Sequence, residues 1–133
     1  MSAKLSGLSH ACHENCIIRR QIKNPDEFMS PEIALSCQFD KSVDIYSFGM
    51  ILCELLTLKE PFSYCDSDTP TSSRQPLSNS RRMMSVFELN FNLLSVLKST
   101  GCPERLELLA CHCCNSDPLR RPSVHTCIDE LIS

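Results

Sequence analysis

Cysteine is the residue type with which this sequence could do the most chemistry. The 133 residues include 10 Cys and 4 His, and two clusters, Cys12-His13-x-x-Cys16 and Cys111-His112-Cys113-Cys114, bring thiols and imidazoles together. A structural zinc ion takes four such ligands, commonly from cysteines with two to four residues between them. On a helix, however, the first and last thiols of the second cluster share a face while the imidazole lies on another. We therefore predict buried thiols and no metal ligands, and keep a small zinc-binding module as the less favoured alternative.

The composition narrows the class of protein. Lysine and arginine number 13 against 16 aspartates and glutamates, a net charge of −3, which argues against a nucleic-acid binder that relies on a basic surface. No stretch reaches the roughly 18 consecutive apolar residues of a membrane-spanning helix, and the N-terminus lacks the apolar run of a secretory signal. Since reduced cysteines are expected inside apolar segments, we predict an intracellular, cytoplasmic protein. From its net charge and the lack of an apolar span we predict neither a nucleic-acid partner nor a membrane partner.

Residues 41–58 form the clearest helix of the sequence. Their apolar side chains fall on nearly every side of it, as in a helix buried at the centre of a fold. Two carboxylates, Asp44 and Glu54, lie within the helix, and buried carboxylates need partners. Gly49 in its middle is less favourable than Ala by about 1 kcal/mol, which suggests that another backbone comes close. The apolar residues are Val43, Ile45, Tyr46, Phe48, Met50, Ile51, Leu52, Leu55 and Leu56.

Shorter helices are predicted on both sides of this one. Ser30 and Pro31 can serve as the N-cap and the first residue of a short helix. Residues 63–85 are rich in Ser, Thr, Pro and Asp, which predicts an exposed polar loop. No alternating strand pattern of useful length occurs, so the predicted fold is all-α. Helical spacing predicts three further helices, marked by Phe87, Phe91, Leu94 and Leu97, by Leu106, Leu109, Ala110 and Cys113, and by Val124, Cys127, Ile128, Leu131 and Ile132.

Three short motifs follow one another along these elements. They are Met29-Ser30-Pro31-Glu32, then Asp44-Ile45-Tyr46-Ser47-Phe48-Gly49 in the long helix, and Asp117-Pro118-Leu119-Arg120-Arg121-Pro122 before the last helix. The first resembles the A-P-E motif that closes a protein kinase activation segment, with Ser in place of Ala. The second resembles the D-x-x-S-x-G of the central helix of a eukaryotic protein kinase C-lobe, and the third resembles the D-P-x-x-R-P before its last helix. The resemblance covers 29–132 and implies an all-α fold, the lower half of a protein-kinase-like C-lobe with a central buried helix.

The resemblance also implies a domain organisation and a subfamily. Residues 1–28 would be a degenerate activation-segment-like region, and 29–133 a partial protein kinase domain with a polar insertion at 63–85. The nearest resemblance is to LIM-domain and testis-specific kinases of the tyrosine-kinase-like group. It is carried by residues 39–44, 48–54, 87–90 and 112–115.

Roles for individual residues follow from the resemblance. Glu32 would pair with Arg121 in a largely buried ion pair, and Asp44 would accept hydrogen bonds from the backbone of a catalytic loop. Gly49 would allow close helix packing. The residues assigned to structural kinase motifs are Pro31, Glu32, Asp44, Ser47, Gly49, Asp117, Arg121 and Pro122, and those placed beside a substrate peptide are Met29 and Ser30.

The motifs that would perform phosphoryl transfer are missing from the sequence. There is no G-x-G-x-x-G loop, no V-A-I-K lysine, no H-R-D loop and no D-F-G motif; in the stretch 3–9, which resembles the surroundings of D-F-G, Ser6 stands directly before Gly7. We therefore predict no catalytic or cofactor-binding residue and no activity for this chain alone. ATP and Mg²⁺ are implied only for a full-length parent that phosphorylates protein Ser/Thr or Tyr. The alternative is a non-catalytic kinase-lobe module that binds protein substrates or competes with a partner kinase.

Overall fold

α-Helices make up the regular secondary structure in the described part of the chain. The computed structural model describes residues 4–6, 8, 11–13, 28–35, 38–59 and 95–133. Within them lie α1 (Pro31–Ala34), α2 (Ser42–Thr57), α3 (Glu104–Cys113) and α4 (Val124–Ile132), with a 3-10 helix at Pro118–Arg120 and helical residues at 95–98. No strand occurs among these residues, which confirms the prediction of an all-α fold.

The long helix α2 lies at the centre of the fold. It packs against α3 and against the 3-10 helix, and α3 packs in turn against α4. The side chains of Tyr46 and Met50 on α2 are completely buried. The helix begins and ends one residue inside the predicted 41–58, and its buried face confirms the prediction of a central buried helix. The core cluster comprises Ile45, Tyr46, Met50, Leu52, Cys53, Leu97, Leu109, Ala110, Cys113, Cys114 and Cys127.

One flank of α2 is open to solvent, although its sequence is apolar on nearly every side. Ile51 and Leu55 are 48% and 66% exposed, and Asp44 is exposed as well. Because positions seven and four residues apart lie on one side of a helix, these three side chains form a stripe, which we call the open flank. The expectation that Asp44 is a buried carboxylate is therefore wrong, and Glu54 is only half-buried. An apolar pattern shows what a helix face could bury, but not whether a neighbour covers it.

The helix ends are formed by local backbone geometry. Ser30 occupies the N-cap position of α1 with an extended backbone, and Pro31 is the first helical residue, but the serine side chain makes no capping hydrogen bond. At the end of α2, Leu58 adopts a left-handed conformation with φ of 54° and donates its N–H to the Glu54 carbonyl at 2.8 Å. Gly101, with φ of 70°, supplies the left-handed residue in the turn before α3.

The last helix forms where the spacing predicts it, but its apolar stripe is mostly exposed. Ser123 caps α4 by accepting a hydrogen bond from the Thr126 N–H at 3.1 Å. Cys127 is the buried residue of this helix. The remaining apolar residues of the stripe, which are between 46% and 79% exposed, are Val124, Ile128, Leu131 and Ile132.

Several sequence predictions concern residues outside the described ranges. They are the polar loop 63–85, most of the helix predicted around Phe87 to Leu97, and Cys16 of the first cysteine cluster. Of that helix, residues 95–98 are described and helical, and Leu97 is completely buried. None of the described helices has the length and hydropathy needed to cross a membrane.

Candidate functional site

A buried ion pair joins α1 to the segment that follows the 3-10 helix. Glu32 lies in the first turn of α1, and Arg121 lies 89 residues later in the sequence. The guanidinium Nη1 is 2.5 Å from Oε1 and Nη2 is 2.9 Å from Oε2 of the carboxylate, so the contact is bidentate. The Arg121 side chain has no exposed surface and that of Glu32 is 10% exposed. The structure therefore brings together the two residues that the resemblance paired.

Arg121 has further partners that account for its burial. Its Nε donates to the Asn115 carbonyl at 2.9 Å, and its Nη1 also donates to the Ser42 carbonyl at 3.1 Å. The guanidinium carbon lies 5.0 Å from the centroid of the Tyr46 ring, within the range of a cation–π interaction. A buried charge needs both a counter-ion and satisfied hydrogen bonds, and Arg121 has them. The side chain thus ties α1, the start of α2 and the end of α3 to one point.

The side chains of one asparagine and one aspartate shape the turn that positions Arg121. Asn115 Oδ1 accepts a hydrogen bond from the Asp117 N–H at 2.9 Å, and Asp117 Oδ1 accepts one from the Leu119 N–H at 3.0 Å. Pro118 begins the 3-10 helix that follows, where its missing N–H is no loss. Asp117 thereby shapes the turn locally. Pro122, half-buried, lies between this turn and α4.

A second contact holds the segment before α1 on the central helix. Ser47 Oγ donates to the Phe28 carbonyl at 2.8 Å and lies 3.3 Å from the Val43 carbonyl of its own helix. The two residues that follow Phe28 differ in their access to solvent: Met29 is half-buried and Ser30 is completely buried. Of the two residues expected beside a substrate peptide, Met29 is the one that offers surface.

Gly49 lies at the closest approach of α2 and α3. A Cβ at this position would be 2.6 Å from the Cys113 Cβ, 2.8 Å from the Cys114 Sγ and 3.1 Å from the Cys113 carbonyl carbon. Since real Cβ contacts are not this short, no larger residue fits without moving one of the helices. The close backbone that Gly49 suggested is therefore the C-terminal end of α3.

Two residues that matter for this arrangement were assigned no contact from the sequence. Asp40 accepts a hydrogen bond from the Ser42 N–H at 2.8 Å at the start of α2, and its interactions with the side chain and the backbone of Ser42 lower the pKa of the Asp40 carboxyl. An Asp directly before a predicted helix, as Asp40 is before 41–58, is a recognisable capping signal. Asn115 contributes its side chain to the turn and its backbone carbonyl to Arg121, and no sequence pattern reports the contact with Arg121.

The described residues offer no site for a metal ion. Among them, no three His, Cys, Asp or Glu side chains are placed so that they could hold one. The thiols of the second cluster are free, and Cys113 and Cys114 are buried. Burial raises the pKa of the Cys111 thiol to about 11, which disfavours the thiolate that zinc requires. The zinc alternative thus gains no support from the second cluster, and Cys16 of the first lies outside the described residues.

Comparisons with known proteins agree on one family. The family model described as the protein kinase domain matches residues 7–131. A probable serine/threonine-protein kinase of Dictyostelium discoideum is 38% identical over 98 residues, which cover 74% of this chain and 19% of that protein. The dual specificity protein kinase shkC of the same organism is 29% identical over 127 residues, covering 94% of this chain and 22% of the relative. A protein kinase and PP2C-like domain-containing protein of Arabidopsis thaliana is 30% identical over 108 residues, covering 80% and 16%.

The chain is much shorter than the relatives it matches. The chain spans about a fifth or less of the length of these three relatives. No solved structure matches it significantly. The family match nonetheless covers most of the sequence, including the segments that hold Glu32, Ser47, Gly49 and Arg121. The chain therefore belongs to the protein kinase domain family.

Proposed function

We propose that residues 29–133 serve as the helical base of a protein kinase domain, and that the chain does not transfer phosphate by itself. The parent kinase transfers phosphate from ATP to a protein hydroxyl. The observation that supports this role is the buried pair of Glu32 and Arg121, which anchors the end of the activation-segment-like region on the core. The base would thereby hold in place the segment that contacts a protein substrate.

The absence of activity follows from the chemistry of phosphoryl transfer. That reaction depends on positioned magnesium ligands, a lysine on the nucleotide phosphates and a residue that orients the attacking hydroxyl. The sequence contains none of the motifs that supply them. Two carboxylates of the kinase-like motifs do not replace them either, because Glu32 is engaged by Arg121 and Asp44 stands on the open flank. We therefore assign the binding of ATP and Mg²⁺ to a longer parent.

Two anchors support the role of the base in holding the substrate-facing segment. Ser47 binds the backbone at Phe28, and Arg121 binds the side chain of Glu32. Between them, Met29 is half-buried and available for contact with a peptide. We propose that this short stretch contributes to the peptide-binding surface of the parent.

The subgroup is a further part of the proposal. The residues at 39–44, 48–54, 87–90 and 112–115 resemble LIM-domain and testis-specific kinases, which supports a parent in the tyrosine-kinase-like group. A relative named as a probable serine/threonine kinase favours a parent that phosphorylates Ser/Thr, and one named as a dual specificity kinase is equally consistent with Tyr. The free thiols of the described cysteines favour an intracellular location, where thiols stay reduced.

A non-catalytic interaction module is the second candidate. The open flank of α2 and the apolar residues of α4 favour it, since exposed apolar surface is a common site of protein association. In this role the chain would bind a protein substrate or compete with a partner kinase.

Nucleotide binding and phosphate transfer by the purified chain test the proposal. Isothermal titration with ATP and Mg²⁺, and transfer of labelled γ-phosphate to a general protein substrate, are both expected to match the heat-denatured chain. Stoichiometric ATP binding with transfer above that control would overturn the proposed inactivity. Addition of the chain to a complete kinase of the same subgroup separates the two candidates. Dose-dependent inhibition of that kinase is expected only if the chain is an interaction module.

A further inference from the structure

Five thiols gather where α2, α3 and α4 meet, and the proposed kinase role uses none of them. Two pairs are in direct contact: Cys53 Sγ lies 3.8 Å from Cys114 Sγ, and Cys113 Sγ lies 3.8 Å from Cys127 Sγ. The first pair joins α2 to the end of α3, and the second joins α3 to α4. The fifth thiol, Cys111, is half-buried on α3. Since no group of described residues could hold a metal ion, the chemistry open to these pairs is oxidation.

We propose that Cys113 and Cys127 form a redox modification site, a thiol pair that a peroxide converts into a disulfide linking α4 to α3. The sulfur atoms touch at 3.8 Å, and a disulfide brings them to about 2.05 Å. The required approach is about 1.8 Å, the difference between these two distances. The two residues lie on helices that already pack against each other.

The attachment of α4 explains why a bond at this place would have an effect. Cys127 is the buried residue of α4. The apolar residues around it, Val124, Ile128 and Leu131, are each at least 46% exposed. Cys127 is therefore the side chain of this helix that lies fully inside the contact with α3, and a disulfide there would add a covalent link to a helix that is otherwise largely exposed.

The second thiol pair serves as an internal comparison. Cys53 and Cys114 are separated by the same distance, but they are 1% and 0% exposed and lie between the two most closely packed helices. Cys127 is 5% exposed, on a helix whose other apolar residues are largely exposed. An oxidant from solvent therefore reaches Cys127 by a small displacement of α4, whereas it reaches Cys53 only by opening the core. Burial raises the pKa of the Cys113 thiol, so the reaction is expected to be slow at neutral pH.

The oxidation balances with hydrogen peroxide as the oxidant. Cys127, after losing its proton, attacks one peroxide oxygen, the O–O bond breaks, and a sulfenic acid and one water result. The sulfur of Cys113, also after losing its proton, then attacks the sulfenic sulfur, the S–S bond forms, the S–O bond breaks, and a second water leaves. Two thiols and one peroxide thus give one disulfide and two waters, with the sulfurs oxidised and the peroxide oxygens reduced. A dithiol reductant reverses the bond by exchange.

Mapping the disulfide in the native full chain tests the proposal. The protein is treated with hydrogen peroxide over a time course, blocked with N-ethylmaleimide, digested with trypsin and analysed by mass spectrometry without reduction. The expected product is a peptide pair linked through Cys113 and Cys127, lighter by two hydrogen atoms and released by dithiothreitol. Because Cys111 and Cys114 share a tryptic peptide with Cys113, fragmentation of the linked pair must assign the sulfur. The link is expected earlier in the time course than any between Cys53 and Cys114.

Two variants and a second readout keep the outcome decisive. Cys53→Ser should still form the Cys113 link, and Cys127→Ser should not. Hydrogen exchange of α4 should slow after oxidation of the unsubstituted chain and remain unchanged in the Cys127→Ser protein. The proposal is overturned if Cys127 remains a thiol while exposed Cys12 reacts, if Cys127 proceeds to sulfinic acid without a link, or if Cys53 and Cys114 join first.

Discussion

Replacing Glu32 with alanine leaves the Arg121 guanidinium in the core without its carboxylate. Removal of one partner of a buried ion pair destabilises a protein by about 3–5 kcal/mol, because the remaining charge is stranded. Arg121 would keep the carbonyls of Asn115 and Ser42 and the face of Tyr46, so we expect the lower end, about 3 kcal/mol. Since every 1.4 kcal/mol is tenfold, the folded-to-unfolded ratio should fall on the order of a hundredfold.

Urea unfolding followed by far-ultraviolet circular dichroism measures this loss, and the chain supplies a matched control. Arg120 and Asp117 form a second ion pair at 3.6 Å, but their side chains are 76% and 49% exposed. An exposed pair of this kind contributes about 0–1 kcal/mol, so Arg120→Gln should shift the midpoint little. A third variant, Glu32→Ala combined with Arg121→Met, removes both charges and should lose less stability than the sum of the two single changes.

Two results would refute the reasoning about this pair. One is a Glu32→Ala protein as stable as Arg120→Gln, which would mean that the buried contact adds nothing. The other is strict additivity in the cycle of Glu32→Ala and Arg121→Met, which would mean that the two side chains act independently despite their bidentate contact.

Three further predictions concern packing, hydrogen bonding and pH. Gly49→Ala should destabilise by about 1–3 kcal/mol in urea unfolding, because its Cβ would come within 2.6 Å of the Cys113 Cβ. Ser47→Ala should cost about 1 kcal/mol and speed hydrogen exchange at 28–35, since the hydrogen bond to Phe28 is lost. Burial raises the pKa of Cys111 from 9.0 to about 11, so the unfolded chain releases this proton first and the urea midpoint should fall as the pH rises through that window.

Matched variants separate these causes from nonspecific effects. A Cβ added at Gly101 would meet no atom within 4 Å beyond its chain neighbours, and the left-handed backbone there is one that Asn tolerates. Gly101→Asn should therefore change stability little, and a stabilised Gly49→Ala protein would contradict the packing argument. Ser99→Ala removes an exposed hydroxyl contact and should leave hydrogen exchange at 28–35 unchanged. Unchanged exchange in the Ser47→Ala protein would contradict the anchoring role of Ser47. Cys111→Ala should weaken the pH dependence, and an identical dependence in both proteins would exclude this thiol as a cause.

The positions of the helices could be predicted from the sequence because helix formation is read from nearby residues. Apolar spacing, with Pro31 at the start of α1, indicated α1, α2, α3 and α4, and the bounds predicted for α2 differ from the observed ones by one residue at each end. The glycine in α2 likewise predicted a close neighbour, since an unfavourable residue in a long helix needs a packing reason. The order of the three motifs was enough to identify the kinase resemblance.

The exposure of the helix faces could not be predicted in this way. The apolar pattern of α2 implied burial all round, yet Ile51 and Leu55 lie on an open flank. The stripe of α4 implied a buried face, yet Cys127 alone is buried there. Periodicity reports the properties of one helix, whereas burial depends on whether a second element is placed against it.

The sequence by itself determined the elements, the family motifs and the residue types available for contact. Only the tertiary structure decided that Arg121 binds the Ser42 and Asn115 carbonyls as well as Glu32, and that Cys113 touches Cys127. These contacts join residues between 6 and 89 positions apart. They depend on the angles at which the helices pack and on the direction in which the chain leaves each turn. A local pattern of residues does not specify that geometry.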